Sequence, residues 1–393
     1  MILSLLFFLF VLLYYKKRFH TIINPVSIYC LGFILPIVSV IVADQFDLLR
    51  GFTADSAHTA IYYYNFCLIC FLLPWIYEKY DNVHYKFSDH NYMQKTIFGL
   101  SCTLLFLLFL AILFLGGTPV IRMYLGEIDV MEYNILQRRL PLGVLAIITI
   151  FSYVLFLYVA SFIANRRRYE IAKYKIVLLV IFCVALSLWQ GKRQGLLLFI
   201  FVCFIRIIIN KTQESKKRGN IINTKFIIVL FLFFLIFNAV SAFRTGNDTN
   251  NIELLQYSFY PVMNLASMIE NNLMNNTIYP NNVLFEMLPN RFHTAESDIR
   301  SYLFEPTSPS GYFSYWFLDY GILGMALGAF ILSLIAKCVY RKRFVSETNL
   351  RIYILMLWCC ATACIYSHLL TNLFWLSVLF LYLFGNYVIK IKR

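Results

Sequence analysis

About eleven apolar stretches, each long enough or nearly long enough to cross a bilayer, follow one another along this chain with short polar turns between them. In hydrocarbon every backbone N–H and C=O must be satisfied within its own segment, so such a sequence has essentially one solution, a bundle of helices. The stretches lie near residues 1–15, 25–42, 57–77, 96–115, 142–164, 175–189, 195–209, 226–243, 317–338, 352–367 and 372–389. The expected fold is therefore an all-α polytopic membrane protein, with residues 1–393 forming a single integral membrane domain.

The basic residues orient it. Lys16-Lys17-Arg18, Arg166-Arg167-Arg168, Lys216-Lys217-Arg218, Arg341-Lys342-Arg343 and the terminal run from Lys390 to Arg393 all fall on one side of the alternation. By the positive-inside rule that side is cytoplasmic, which puts the N-terminus outside and the C-terminus inside. The first stretch has no basic residues before it and no small-residue cleavage site after it, so it reads as a retained helix. A net charge of +14 would suggest nucleic acid in a soluble protein. In a chain that is 60% hydrophobic and only 14% charged, the excess instead sits beside spans, where it meets anionic lipid, and no nucleic-acid partner is expected.

Several kinds of chemistry are unsupported. All ten cysteines lie within or at the edges of spans, so no disulfide framework is implied, and Cys67 and Cys70, a C-x-x-C spacing inside an apolar helix, read as packing residues. No metal-ligand spacing occurs, and no cofactor is expected. The cytoplasmic loops are short and lack a Gly-rich phosphate loop, which argues against nucleotide chemistry there. No span carries a carboxylate at mid-membrane, where coupled pumps keep one. Arg206, near the inner end of its span, reads as a snorkelling side chain.

Two outer loops are long. Residues 116–141 open with Gly-Gly-Thr-Pro and then place Ile121, Leu125, Ile128, Met131 and Ile135 at helical spacing, which reads as an amphipathic helix on the outer surface. Residues 244–316 are punctuated by prolines and long enough for two or three helical segments. They form the expected loop subdomain, too small for a large core of its own and so packed down as a lid. The outer basic residues are Arg50, Arg122, Arg138, Arg139, Arg193, Arg244, Arg291 and Arg300, with Lys192 the one lysine. Arginine's planar fork suits bidentate phosphate binding, where lysine acts as a point charge.

The hairpin from residue 175 to 209 sharpens this pattern. Each arm of about 15 residues reaches roughly 22 Å, short of a 30 Å hydrocarbon core, so its tip, Gln190-Gly-Lys-Arg-Gln-Gly195, should lie below the outer surface. A recessed Lys192-Arg193 pair calls for an anion or a carboxylate, unless both side chains snorkel outward.

In architecture the whole chain resembles the O-antigen polymerase (oligosaccharide repeat-unit polymerase) family. The likeness rests on the many helices, the Gly-Gly-x-Pro loop, the short Gly-Lys-Arg hairpin and the large late loop. The most pointed local match is the family's R-x10-G pattern, met by Arg300 and Gly311 and followed by Phe317-Leu-Asp-Tyr-Gly321. The resemblance implies a multi-pass protein of the bacterial inner membrane that joins glycan repeats carried on undecaprenyl diphosphate at the periplasmic face, with membrane lipid and a chain-length regulator as partners. The diphosphate leaves as an anion, so cations suffice where its charge develops: Arg193, Arg244, Arg291 and Lys192 as diphosphate-binding residues, with Arg300 in the catalytic set. The attacking sugar hydroxyl needs a base, and Glu296 and His293 are the candidates, with Asp298 and Glu305 nearby. Gly311 and Asp319 are expected to be structural, Asp319 at the start of the ninth span, and His368 is expected to be structural in the last outer turn. The rivals are an O-antigen ligase, which would use a loop histidine where this chain has Arg300, and a non-enzymatic flippase or exporter, which would line its bundle with charge.

Overall fold

The computed structural model describes residues 1–45, 54–78, 90–125, 127–128, 132–133, 136, 140, 143–166, 170–189, 193–214, 253–271 and 311–391. Among them all regular structure is helical: α1 Ile2–Phe19, α2 Pro25–Gln45, α3 Ala54–Leu72, α4 His90–Phe114, α5 Pro119–Tyr124, α6 Val144–Ala164, α7 Lys173–Trp189, α8 Arg193–Glu214, α9 Glu253–Glu270, α10 Tyr312–Lys342, α11 Glu347–Thr362 and α12 Asn372–Ile391. Single 3-10 turns, Leu73–Trp75 and His368–Leu370, follow α3 and precede α12. Every apolar stretch read from the sequence coincides with a helix except 226–243, which lies outside the described residues.

Six of these helices are long and apolar enough to cross a membrane: Pro25–Gln45, Asp55–Trp75, Asn91–Phe114, Val144–Ala164, Gln194–Lys211 and Tyr312–Lys342. The others fall short for visible reasons. α1 spends its last turn on Lys16, Lys17 and Arg18, α7 and α11 have 17 and 16 residues, and the apolar part of α12 is only Asn372–Gly385. Two boundaries differ from expectation. The helix expected over 317–338 already starts at Tyr312, and α8, at 22 residues, runs about 33 Å and is not a short arm.

The chain forms two compact units. The first comprises Met1–Val83, Leu254–Phe344 and Leu355–Trp375. Asn24 starts α2 by accepting from the Ser27 N–H at 2.9 Å while its amide donates to Ser27 Oγ at 2.8 Å, so a helix donor that would lack a partner is met locally. The core of this unit is aromatic. Tyr29 stacks on Phe71 with centroids 4.1 Å apart, Phe33 meets Tyr64 edge-on at 5.0 Å, and both Phe33 and Tyr64 reach Phe313 on α10. α2 approaches α11 so closely that a Cβ on Gly32 would lie 2.2 Å from the Ala361 carbonyl oxygen. Where α1, α3 and α10 end together, Phe19, Trp75 and Tyr340 pack edge to face and Trp75 Nε1 donates to Ser333 Oγ at 2.8 Å.

The second unit comprises His84–Glu253, Val345–Ile354 and Leu376–Arg393. α6 is its central helix, with 67% of its span buried against 22% for α4 at the periphery. The chain leaves α4 through Gly116 and Gly117, both at positive φ, whose N–H groups bond back to Leu113 and Ile112, and Pro119 then opens α5. The Gly-Gly-Thr-Pro motif is thus a helix stop followed by a helix start. α5 closes at Leu125, whose N–H caps Ile121; of the surface helix expected over this loop, Glu132, Tyr133 and Leu136 are also helical, and Met131 and Ile135 lie outside the described residues.

Candidate functional site: a recessed hairpin tip

α7 and α8 pack against each other and against α6. Gln194 Nε2 donates to the Tyr153 hydroxyl at 3.1 Å, and Tyr153 sits about nine residues into α6, roughly 13 Å along the axis. The expected depth rested on two short arms; α7 has 17 residues, but α8 has 22 and is not short, and residues 190–192 of the tip lie outside the described residues. Above the tip, the fully buried Tyr133 of the 116–141 loop donates its hydroxyl to the Trp189 carbonyl, the last residue of α7. Trp189 is itself only 8% exposed. The loop thus reaches down onto the hairpin through a specific polar contact, satisfying a carbonyl that the end of α7 would otherwise leave without a helix partner.

Arg193 opens α8, and its backbone alone is described; Lys192 lies outside the described residues. The first N–H groups of a helix have no intrahelical acceptor and carry the positive end of its dipole. A helix N-terminus preceded in sequence by Lys192 and opened by Arg193 is of a kind that suits a phosphate group. Glu296, His293, Arg300, Arg244 and Arg291 also lie outside the described residues.

Gly311 and Asp319 belong to the first unit. Gly311 N-caps α10, and a Cβ there would fall 2.0 Å from the Cys364 carbonyl oxygen; the next N–H, of Tyr312, donates to Ala363 O at 3.0 Å. The glycine of the R-x10-G pattern is thus a backbone-to-backbone contact between the start of α10 and the end of α11, where any side chain would force the two apart. Asp319 does not sit at the start of α10 as expected. It lies two residues before Gly321, where φ 61° and ψ −147° interrupt the helix, a conformation open essentially to glycine alone. Its charge falls where the second half of α10 begins, the favourable end of that helix dipole. His368 is buried between the rings of Trp358 and Tyr366, at 5.8 and 5.0 Å, and burial pushes its imidazole down to about 3. It is neutral at physiological pH and fits the structural role expected of it.

Two ionic clusters went unread in the sequence. Glu78, just past the end of α3, meets Arg341 at 2.7 Å and Lys337 at 3.1 Å on α10. Arg206, expected to snorkel, instead has 0% of its side chain exposed and donates to both carboxylate oxygens of Glu347, at 2.8 and 3.1 Å. A single arginine inside an otherwise apolar helix was the available signal.

The chain matches no family model, no curated protein and no solved structure.

Proposed function

We propose that this chain is a glycosyltransferase of the bacterial inner membrane that polymerises oligosaccharide repeat units, moving the growing glycan from undecaprenyl diphosphate onto a lipid-linked repeat unit at the periplasmic face. The observation that supports this reading is the α7–α8 hairpin, where Gln194 bonds to Tyr153 and Tyr133 to the Trp189 carbonyl, with Arg193 opening α8 and Lys192 preceding it in sequence. A lipid diphosphate presents its charge at the membrane interface, and a basic helix N-terminus there stabilises the departing anion without protonating it. In this reading about eleven spans cross with the N-terminus outside, and residues 244–316 cover the site. Arg244, Arg291 and Arg300 add to the cation set, and Glu296 or His293 takes the proton from the attacking hydroxyl. No metal is needed to hold a diphosphate that arginines already bind.

The test is deletion of the gene in its host, with lipopolysaccharide separated on a gel and complementation by wild type, Arg193→Gln and Tyr133→Phe. Loss of the ladder with a surviving band of core plus one repeat is expected. Wild type restores it, Arg193→Gln does not, and Tyr133→Phe, which frees the loop from Trp189, shortens it. Loss of every repeat-bearing band would instead identify a ligase or a flippase, and an unchanged ladder would remove the proposal.

A further inference from the structure

At the other end of the second unit, where α6 and α8 finish and α4 and α11 begin, lies a side chain whose hydrogen bonding is incomplete. Arg351, one turn into α11, is only 3% exposed. Its guanidinium lies 3.8 Å from the centre of the Tyr158 ring, and its one ionic contact among the described residues is a long one, 3.5 Å to Glu347 Oε1. Arg206 already donates to both oxygens of that carboxylate. The Arg351 Nε is buried with no hydrogen-bond partner. A guanidinium stays charged at any physiological pH and offers five donors, so burying it with donors unmet is costly.

Among the described residues, no second carboxylate is paired with these two arginines. Burial raises the Glu347 carboxyl, with Arg351 pulling the other way, and this one carboxyl faces two guanidinium groups. Several neutral polar groups at this end of the unit are hydrogen-bonded elsewhere. Asn210 donates to Asn165 at 2.9 Å, Asn165 to the Ser161 carbonyl at 2.8 Å, and the Tyr92 hydroxyl to the Phe384 carbonyl at 2.7 Å. The same end of the unit carries Lys95, Arg166, Lys173, Lys175 and Lys211 at the helix ends, the positions where lipid headgroups meet a bundle.

We propose that Arg351, backed by Arg206 and Glu347 and floored by the Tyr158 ring, is a binding site for a phosphate group, either the phosphodiester of an anionic lipid headgroup or free phosphate. A phosphate oxygen completes the guanidinium fork in the geometry that arginine prefers, and its charge balances the pair of arginines that Glu347 alone does not. Held by one long ion pair and one ring face, the Arg351 side chain is able to re-aim by a rotamer change to take the ligand. The site stands apart from the hairpin tip and does not depend on the function proposed for it.

The full-length protein is purified in detergent, delipidated and examined by native mass spectrometry after adding phosphatidylglycerol or phosphatidylcholine, and its thermal midpoint is followed with inorganic phosphate at constant ionic strength. Wild type is expected to retain one phosphatidylglycerol and not phosphatidylcholine. Arg351→Gln lowers that retention by about tenfold or more, the worth of a charge-assisted contact. Lys211→Gln, which removes an exposed charge at the same end, leaves it unchanged. A midpoint raised by inorganic phosphate without lipid retention identifies free phosphate as the ligand. If neither probe binds, or if Lys211→Gln weakens binding as much as Arg351→Gln, the proposal is overturned. Should Arg351→Gln fail to fold, Arg351→Lys replaces it, and retention equal to wild type overturns the bidentate site.

Discussion

The two ionic clusters have the same composition, one glutamate with two cations, yet they behave in opposite ways. Both carboxylates are well covered, Glu78 at 6% and Glu347 at 9% exposed, and both have a guanidinium nitrogen within 2.8 Å. The cations differ. Arg341 is 59% exposed and Lys337 19%, whereas Arg206 and Arg351 are 0% and 3% exposed. Around Glu78, burial works to raise the carboxyl, but the hydrogen bonds and charges of Arg341 and Lys337 outweigh it and hold the group below its ordinary value of 4.5. Around Glu347, whose two cations are themselves buried, burial wins and the carboxyl rises to about 7 against the pull of Arg351. Water solvates the surplus charge in the first cluster and is excluded from the second, so access to solvent, more than stoichiometry, decides how each carboxylate ionises.

The largest effect should come from removing the fully buried cation. Arg206→Gln leaves Glu347 with only the 3.5 Å contact to Arg351 and is expected to cost about 3 kcal/mol, the scale of breaking a buried pair. Arg341→Gln removes a side chain that water already serves, and Lys337 remains on Glu78, so its cost should stay within about 1 kcal/mol. Chemical denaturation of both variants in the same detergent measures the difference. Equal losses would mean that solvent access does not separate the two clusters.

This contrast also marks how far the sequence is legible. Apolar run length locates the helices well, because a membrane helix satisfies its backbone locally and needs no distant partner. The shortness of α7 was readable for the same reason, since helix length is a local property, whereas α8 extends beyond the arm expected of it. The Arg206 cluster was not. Glu347 is 141 residues away, and nothing near Arg206 in sequence distinguishes a snorkelling arginine from a paired one. Gly311 was singled out through a motif, but its physical role, contact with the Cys364 carbonyl, depends on how α11 ends and is invisible from α10. The break at Gly321 was hidden by an unbroken apolar pattern on either side of it.

A smaller effect, opposite in sign between the clusters, comes from pH. Glu78 has a depressed value, so its stabilisation is present above about 4.5 and is lost as pH falls through the lowered value. Glu347 has a raised value, so its contribution is fully present below about 4.5 and is lost as pH rises through about 7. The stability difference between wild type and Glu78→Gln should therefore shrink on acidification below 4.5, while that between wild type and Glu347→Gln should decline between 4.5 and 8. Parallel slopes for the two variants would contradict the assignment of charge states.

Salt gives the smallest and most selective probe. Screening acts on charges that ions can approach, so raising ionic strength from about 0.05 to 0.5 M should remove a few tenths of a kcal/mol from the Glu78 cluster, where Arg341 faces solvent. The Glu347 cluster, closed to counter-ions on both arginines, should keep its contribution. The measurement is the salt dependence of the cost of Arg341→Gln set against that of Arg206→Gln. If phosphate buffer, but not chloride at equal ionic strength, changes the Arg206→Gln value, the sensitivity belongs to a bound anion and not to screening, because screening does not distinguish the two salts at matched ionic strength.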